Sequence, residues 1–220
     1  MSKTTGIVLE TEMPMVEPGA ATLYDMSRYH SDGAITGAVW VRLPSGLWVL
    51  DYDPGIPSYV EIPSAHTQLN FTSEDFSLIA RINMDSVVAH SRLFFRGLAN
   101  ADGWYCYVQA GGSFSVITAQ LAAFQETLST VGNIIVGNWY TLGFSRSGAT
   151  IITYNNGVAG VSAAGVHIDP LTCARTAKIG IHDNLIATPL NGKIAFLRIF
   201  SYALSAGQHL QMHEALRRWV

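Results

Sequence analysis

The sequence predicts an all-β protein, an antiparallel β-sandwich or jelly roll closed by one short C-terminal helix. Three observations carry this. Apolar and polar residues alternate with period 2 in one short run after another, the pattern of strands with one face on a core. Gly, Asn, Asp and Pro clusters separate the runs, which suits hairpins rather than crossover helices. Only one segment carries a helix start, and many short strands with almost no helix indicate a sandwich or jelly roll.

The elements follow in chain order. Residues 1–20 read as an N-terminal arm or edge strand, with TTGIVLETEM free to add to a neighbouring sheet edge. The first 65 residues hold Pro14, Pro18, Pro44, Pro54, Pro57 and Pro63, yet strand-like pieces recur at 39–41, 47–50 and 59–62, so they are outer strands and loops of the same domain. Phe76, Leu78, Ala80, Ile82 and Met84 alternate with Ser77, Ile79, Arg81 and Asn83 in the longest clear strand. Further runs stand at 93–96, 104–109, 114–118, 140–146, 150–154, 178–181 and 194–200. Ala110-Gly111-Gly112-Ser113 marks one hairpin. Asn155-Asn156-Gly157 marks the strongest, because an Asn-Gly pair tolerates the positive φ angles of a two-residue turn. Asn191-Gly192 permits a tight entry into the last strand, whose apolar residues occupy both faces. Ser205 with Gln208 three residues later forms a capping box, and Met212, Ala215, Leu216 and Trp219 continue at helical spacing, giving a helix over 205–219.

Bulk properties exclude several classes. At 220 residues the chain fits one domain spanning 1–220, and a chain of this size buries about 70% of its unfolded surface without a disulfide or metal. Apolar residues make up 49% and charged residues 13%, so disorder is excluded. The net charge of -3 is scattered, with no basic block to neutralise phosphates, which argues against nucleic acid as a partner. No apolar run reaches the roughly 18 residues of a membrane span. The apolar stretch before Glu10 and Glu12 is too short for a signal peptide core. Cys106 and Cys173 lack zinc or redox spacing and read as small buried apolar groups.

From about residue 23 to 216 the sequence resembles a concanavalin A-like jelly roll of the laminin G-like group. The segments that carry the resemblance occur in the family's order. LYDMSRYHSDGAITGAVWVRLPSGLWVLDYD resembles its opening, YVEIP its second landmark and FTSEDFSLIARINM its first long core strand. NWYTLGFSRSGATIITYNNGVAG resembles the tryptophan strand and Asn-Gly hairpin, so Trp139 is expected in the core, and AKIGIHDNLIATPLNGKIAFLRIFSYALSAGQ resembles the closing strand and helix. The resemblance implies a domain that presents loops to a glycan or protein ligand. It also makes calcium a candidate cofactor, with Asp25 and Asp32 as candidate ligands near Asp51 and Asp53, since hard cations take clustered oxygens. DYDPGIPSYVEIP departs from the family pattern there, with Ile56, Pro57 and Ser58 where aspartates usually precede Tyr-Val; a turn-capping carboxylate is the alternative role for Asp25.

Catalytic signatures are missing. Related glucanases place paired carboxylates on one strand face, and none of the seven glutamates forms such a pattern. Lys193 is followed by Ile194, not the Ser or Thr of a phosphate loop. His213-Glu214 has Arg217 where a zinc protease needs histidine, and His209 with His213 reads as flanking a docked helix rather than as a metal pair. Carbohydrate recognition needs an aromatic platform with polar neighbours, for which Trp104, Tyr105 and Tyr107 beside Asp102 and Gln109 are the best cluster. Alternation puts Tyr105 and Tyr107 on one face and Trp104 and Cys106 on the other, so one set belongs to the core. Asn70-Phe71-Thr72 is a glycosylation sequon, relevant only on secretion from a eukaryotic cell.

The leading expectation is therefore a non-enzymatic binding or adhesion module acting outside cells or on a virion surface. A structural assembly protein is the alternative: a virion coat, decoration or tail component, or a filament subunit, working as a homo-oligomer. A glycoside hydrolase ranks last.

Overall fold

The computed structural model describes residues 6–19, 21–87, 90–121, 123–129, 134–160 and 167–220. The strands are β1 (Ile7–Glu10), β2 (Thr22–Leu23), β3 (Gly33–Thr36), β4 (Val39–Arg42), β5 (Trp48–Tyr52), β6 (Tyr59–Ile62), β7 (Phe76–Met84) and β8 (Ser91–Leu98). They continue as β9 (Asp102–Val108), β10 (Phe114–Gln120), β11 (Ala123–Leu128), β12 (Trp139–Ser147), β13 (Thr150–Asn155), β14 (Val158–Ala159), β15 (Ala177–Ile179) and β16 (Gly192–Phe200). One α-helix among the described residues, α1 (Ala206–Leu216), follows.

These strands build two antiparallel sheets. The first runs β14-β13-β12-β7-β16-β5-β4, and the second β11-β10-β9-β8-β15-β6-β3-β2. β16 is last in sequence and central in space. β7 lies along one of its edges, while the other is shared by β5 at residues 192–194 and β1 at residues 198–200. The predicted arm thus spends its strand within its own sheet: Thr11 N–H donates to the Leu197 carbonyl and its hydroxyl accepts from Leu197 N–H, both at 2.9 Å. Residues 1–5 and 20 of that predicted arm, and residues 161–163 of the predicted Asn-Gly hairpin, lie outside the described residues.

The Asn-Gly hairpin forms as expected. Tyr154 pairs with Ala159 and Asn155 with Val158, leaving Asn156 (φ 50°) and Gly157 (φ 78°) as the two turn residues. Both need the left-handed region that Gly and Asn tolerate. β11 has no such signal, because its hairpin with β10 turns at Leu121, whose φ is 45°.

The inner faces of the sheets meet in one apolar core. Phe76, Leu78, Ala80, Ile82 and Met84 all contribute, as the alternation requires, facing Val60, Phe94, Trp104, Cys106 and Val116 of the second sheet. Trp104 is the centre of an aromatic group, with ring centroids 4.7 Å from Phe94 and 4.9 Å from Phe76. Its Nε1–H donates to the Leu69 carbonyl at 2.9 Å, which satisfies the one polar atom that the ring carries inside. Trp139 is not in that core. It packs partly exposed beside Leu47, Val49 and Ala195 on the outer side of the first sheet. Both cysteines are free and buried.

Strict alternation fails once in β16. A register shift between Ile194 and Phe196 leaves Ile194, Leu197 and Ile199 in the core and turns Phe196 and Phe200 outward, where Ile79, Leu204 and Leu216 cover them. α1 sits there. Ser205 caps it, accepting from Gln208 N–H while the Gln208 side chain accepts from Ser205 N–H. The helix ends at Leu216, three residues short of the predicted 219, and Trp219 is exposed. His209 anchors it, its ring stacked on Tyr154 with centroids 3.7 Å apart and its Nε2 2.9 Å from Ser145 Oγ; His213 Nδ1 meets Thr141 Oγ1 at 3.0 Å.

Candidate binding site on the outer face of the second sheet

The outer face of the first sheet is occupied by α1. That of the second carries a separate cluster, Phe95, Tyr105, Tyr107 and Ile117, with no helix over it among the described residues. Register explains the cluster. Arg92 pairs with Tyr107 and Phe95 with Tyr105, while Tyr107 pairs with Ser115 and Tyr105 with Ile117, which in turn pairs with Glu126. Residues paired across an antiparallel ladder share a face, so these side chains line up across four strands.

Arg92 and Phe95 lie three residues apart and would fall on opposite faces of a regular strand. A shift in register between Arg92 and Phe94 puts Leu93 and Phe94 in the core and both flanking residues outside. The Arg92 guanidinium carbon then lies 4.3 Å from the Tyr107 ring centroid, 4.9 Å from Tyr105 and 5.6 Å from Phe95. Such contacts stabilise a cation by roughly 0.5–2 kcal/mol each, more as water is excluded. Phe95 and Tyr105 stack at 4.4 Å, His182 lies 4.6 Å from Phe95, and His90 meets the edge of Tyr107 at 5.0 Å.

The polar rim is shared out unevenly. Glu126 Oε1 accepts from the Tyr107 hydroxyl at 2.6 Å, from Gln109 Nε2 at 2.9 Å and from the Ser115 hydroxyl. The Tyr105 hydroxyl donates to Asn100 Oδ1 at 2.9 Å. His182 Nδ1 lies 2.6 Å from Asp183, whose other oxygen meets Arg175 at 3.2 Å. Arg92 Nε and Nη1 are buried with no hydrogen-bond acceptor among the described residues, as are the Nε atoms of Arg81, Arg146 and Arg198. Burial pushes the Tyr105 hydroxyl up to about 12 and raises Tyr107, with the Glu126 hydrogen bond adding to the latter. Burial also lowers Arg92 from the ordinary guanidinium range and lowers His182, against the opposing pull of Asp183.

The structure distributes the predicted residues as follows. Tyr105, Tyr107 and Gln109 join the cluster. Trp104 lies on the opposite face, 0% exposed within the core; on the outer face Phe95, Tyr105 and Tyr107 are themselves 0%, 1% and 2% exposed, so none of these rings lies open to a ligand. Asp102 stands at the β8–β9 turn, where its Oδ1 accepts from Leu98 N–H at 2.6 Å. Asp25 is 3% exposed and its oxygens accept from Glu10 N–H, Ser27 N–H, the Ser27 hydroxyl and Ser31 N–H at 2.7–2.9 Å. Asp32 Oδ1 accepts from Asp25 N–H at 2.8 Å. These carboxylates cap their own loop, the alternative role the sequence left to Asp25. Asp51 and Asp53 border an open cleft of about 350 Å³ with Asp85, but Lys193 Nζ sits 2.7 Å from Asp85 and 3.5 Å from Asp51. No three His, Cys, Asp or Glu side chains converge on one point among the described residues. Asn70 of the sequon is engaged by Arg96 Nε and by the Cys173 carbonyl. Arg92 and Glu126 were missed by sequence reasoning; the signal that could have found Arg92 is the SRLFF run entering beside WYCY.

Fold and site together define an antiparallel jelly roll whose second sheet carries a buried aromatic row and a half-exposed polar rim on the face away from its helix. The chain belongs to the laminin G-type family described as the concanavalin A-like lectin/glucanases superfamily, whose model matches residues 54–208. Among solved structures it is similar to the binding domain of Paraclostridial Mosquitocidal Protein 1, at TM-score 0.75 and 12% identity, over 96% of this chain and 52% of that one. The chain thus spans about half of that domain. It is also similar to domain 4 of AbnA, an extracellular arabinanase from Geobacillus stearothermophilus in complex with arabinotriose, at TM-score 0.64 and 17% identity, covering 93% of this chain and 99% of that domain. Trypanosoma rangeli sialidase matches at TM-score 0.63 and 14% identity, over 94% of this chain and 32% of the enzyme. No curated protein sequence matches the chain. At these identities the structural likenesses establish the fold.

Proposed function

We propose that the chain is a non-enzymatic binding module that holds a saccharide on the outer face of its second sheet. The observation that carries this reading is the half-exposed pair Gln109 and Glu126, held in place by the buried Tyr107 and Ser115 on a sheet face without a covering helix among the described residues. Sugars offer hydroxyls to carboxylate and amide groups, and Glu126 and Gln109 present both. Two similar structures support a binding role, one the binding domain of a mosquitocidal protein and one an arabinanase domain in complex with arabinotriose. The family includes lectins, and the same reading has the module act outside the cell or on a virion surface.

A glycan array followed by titration calorimetry tests it. Glu126→Gln keeps the size of the side chain but removes the charge that holds Tyr107, Gln109 and Ser115, and the bound saccharide is expected to weaken by about tenfold. A chain that binds no saccharide, or a Glu126→Gln variant that binds as the parent does, overturns the reading.

The assembly alternative rests on a separate observation, sheet edges that are unpaired among the described residues. β14 and β11 end their sheets with Val158 and Phe124 exposed, and an open edge pairs readily with another copy. Light scattering that finds a defined multimer favours it; a monomer removes it.

A further inference from the structure

We propose that the chain binds a second copy of itself, the Arg217-Arg218-Trp219 segment of one copy entering a groove between the 54–57 and 181–189 loops of the next. The contact is separate from the saccharide face and from the sheet edges, so it stands or falls without either.

The groove is apolar on both sides. It is a cleft of about 170 Å³ lined by Pro54, Ile56 and Pro57 from the loop after β5 and by Ile181, Ile186 and Pro189 from the loop after β15. Ile56 is 50% exposed and Ile186 85%. Single exposed apolar residues are ordinary, but two that line one cleft from loops far apart in the sequence mark a contact surface. The second loop is built to hold Ile186 out. Asn184 Oδ1 accepts from the N–H groups of Ile186 and Ala187 at 3.1 and 3.0 Å. Leu185 (φ 61°) and Thr188 (φ 53°) take the left-handed conformation that residues with a Cβ rarely adopt.

Negative charge borders the groove. Asp51, Asp53 and Asp85 line the open cleft that shares Ile56 with it. Lys193 Nζ bridges Asp85 and Asp51, whereas Asp53 is exposed, accepts from Gly55 N–H at 2.8 Å and has no cation beside it among the described residues. Three carboxylates against one ammonium leave the cleft negative, so it suits an occupant that carries a large apolar group next to positive charge.

The exposed segment Arg217-Arg218-Trp219 has that composition. Trp219 is 47% exposed, and Arg218 beside it is exposed with no carboxylate partner among the described residues. Arg217, also exposed, pairs through Nε with Glu214 at 2.6 Å, a surface pair worth little by itself. Trp and Arg are the side chains that most often anchor a protein interface, the ring by the area it buries and the guanidinium by its match to carboxylates. In its own chain the segment is held elsewhere: Val220 packs on Leu47, Val49 and Ala195 near the start of β5, while the groove opens past the end of that strand. The ring therefore seats in another copy. Two unlike surfaces that fit one another give a reciprocal dimer, a ring or a filament, according to the angle between them.

Sedimentation velocity of the intact chain tests this, taken up to about 1 mM because one ring and two cations make a small interface. The parent is expected to sediment as a dimer or a larger species. Ile186→Asp puts a like charge in the groove and Trp219→Ser removes the ring; each alone is expected to weaken association about tenfold or more. Mixed, the two variants are expected to form a one-to-one dimer, because each keeps the surface that the other lacks. Both positions are exposed, and thermal melts show whether the variants are folded; Ile56→Asp or Arg218→Glu replaces one that is not. A parent that stays monomeric throughout, a multimer that either single substitution leaves intact, or a mixture that stays monomeric overturns the inference. Saccharide titration does not read these positions, so the reading of the second sheet is decided separately.

Discussion

Two buried histidines set the acid limit of this fold. His167 places Nδ1 2.9 Å from Thr118 Oγ1 and Nε2 2.6 Å from Thr127 Oγ1, and burial, aided by the Arg146 charge, lowers its pKa from 6.5 to about 4. His209, pressed on Tyr154 beneath α1, is lowered by burial to about 3. Unfolded, each ring protonates near 6.5, so between that value and the folded one the unfolded chain binds more protons than the native chain. Stability is therefore complete above about pH 6.5 and drains away as pH falls toward 4 and 3. From pH 7 to pH 5 the loss is roughly 2 kcal/mol per histidine. Urea unfolding at the two pH values checks it, and His209→Gln is expected to remove about half of the difference. Equal midpoints at pH 7 and pH 5 would sink this account.

At the scale of elements, what was legible depended on whether a strand obeyed its own period. β7 and β9 could be read from alternation, and the Asn156-Gly157 turn and the Ser205 cap from residue type, because each rests on physics local to a few residues. β8 and β16 each contain a register shift, and a shift moves every later side chain to the other face without changing the composition that alternation reads. For that reason Arg92 and Phe95 were not seen as neighbours, and Phe196 was not separated from Ile194. β11 escaped notice because an edge strand with Gln125, Glu126 and Thr127 has little apolar signal and its turn uses Leu121. Tyr105, Tyr107 and Gln109 came from one legible run, 104–109; Arg92 and Glu126 came from the two strands that were not. The cap makes a prediction at this scale. Ser205→Ala deprives Gln208 N–H of its acceptor and is expected to cost about 1 kcal/mol, read as a lower denaturant midpoint with an unchanged slope.

The molecule as a whole closes late. β16 lies between β7 and the pair β5 and β1, so the first sheet has no centre until the last strand arrives, and the earliest strand has no partner until then either. Ile194, Leu197 and Ile199 also fill the shared core, so both sheets lose packing when β16 is absent. A chain ending at residue 188 keeps the hairpins β8–β9, β9–β10 and β12–β13, whose ladders are local, but its β7 edge is open and apolar. Such a fragment is expected to lack the dispersed amide signals of the full chain in NMR and to aggregate, whereas the full chain unfolds in one transition because a single core spans the sandwich. Its folding should be slow for its size, since central pairing joins residues more than a hundred positions apart and loop closure precedes the reward. A soluble 188-residue fragment with native-like dispersion would show that the second sheet stands without the first, and would divide the domain that the single core unites.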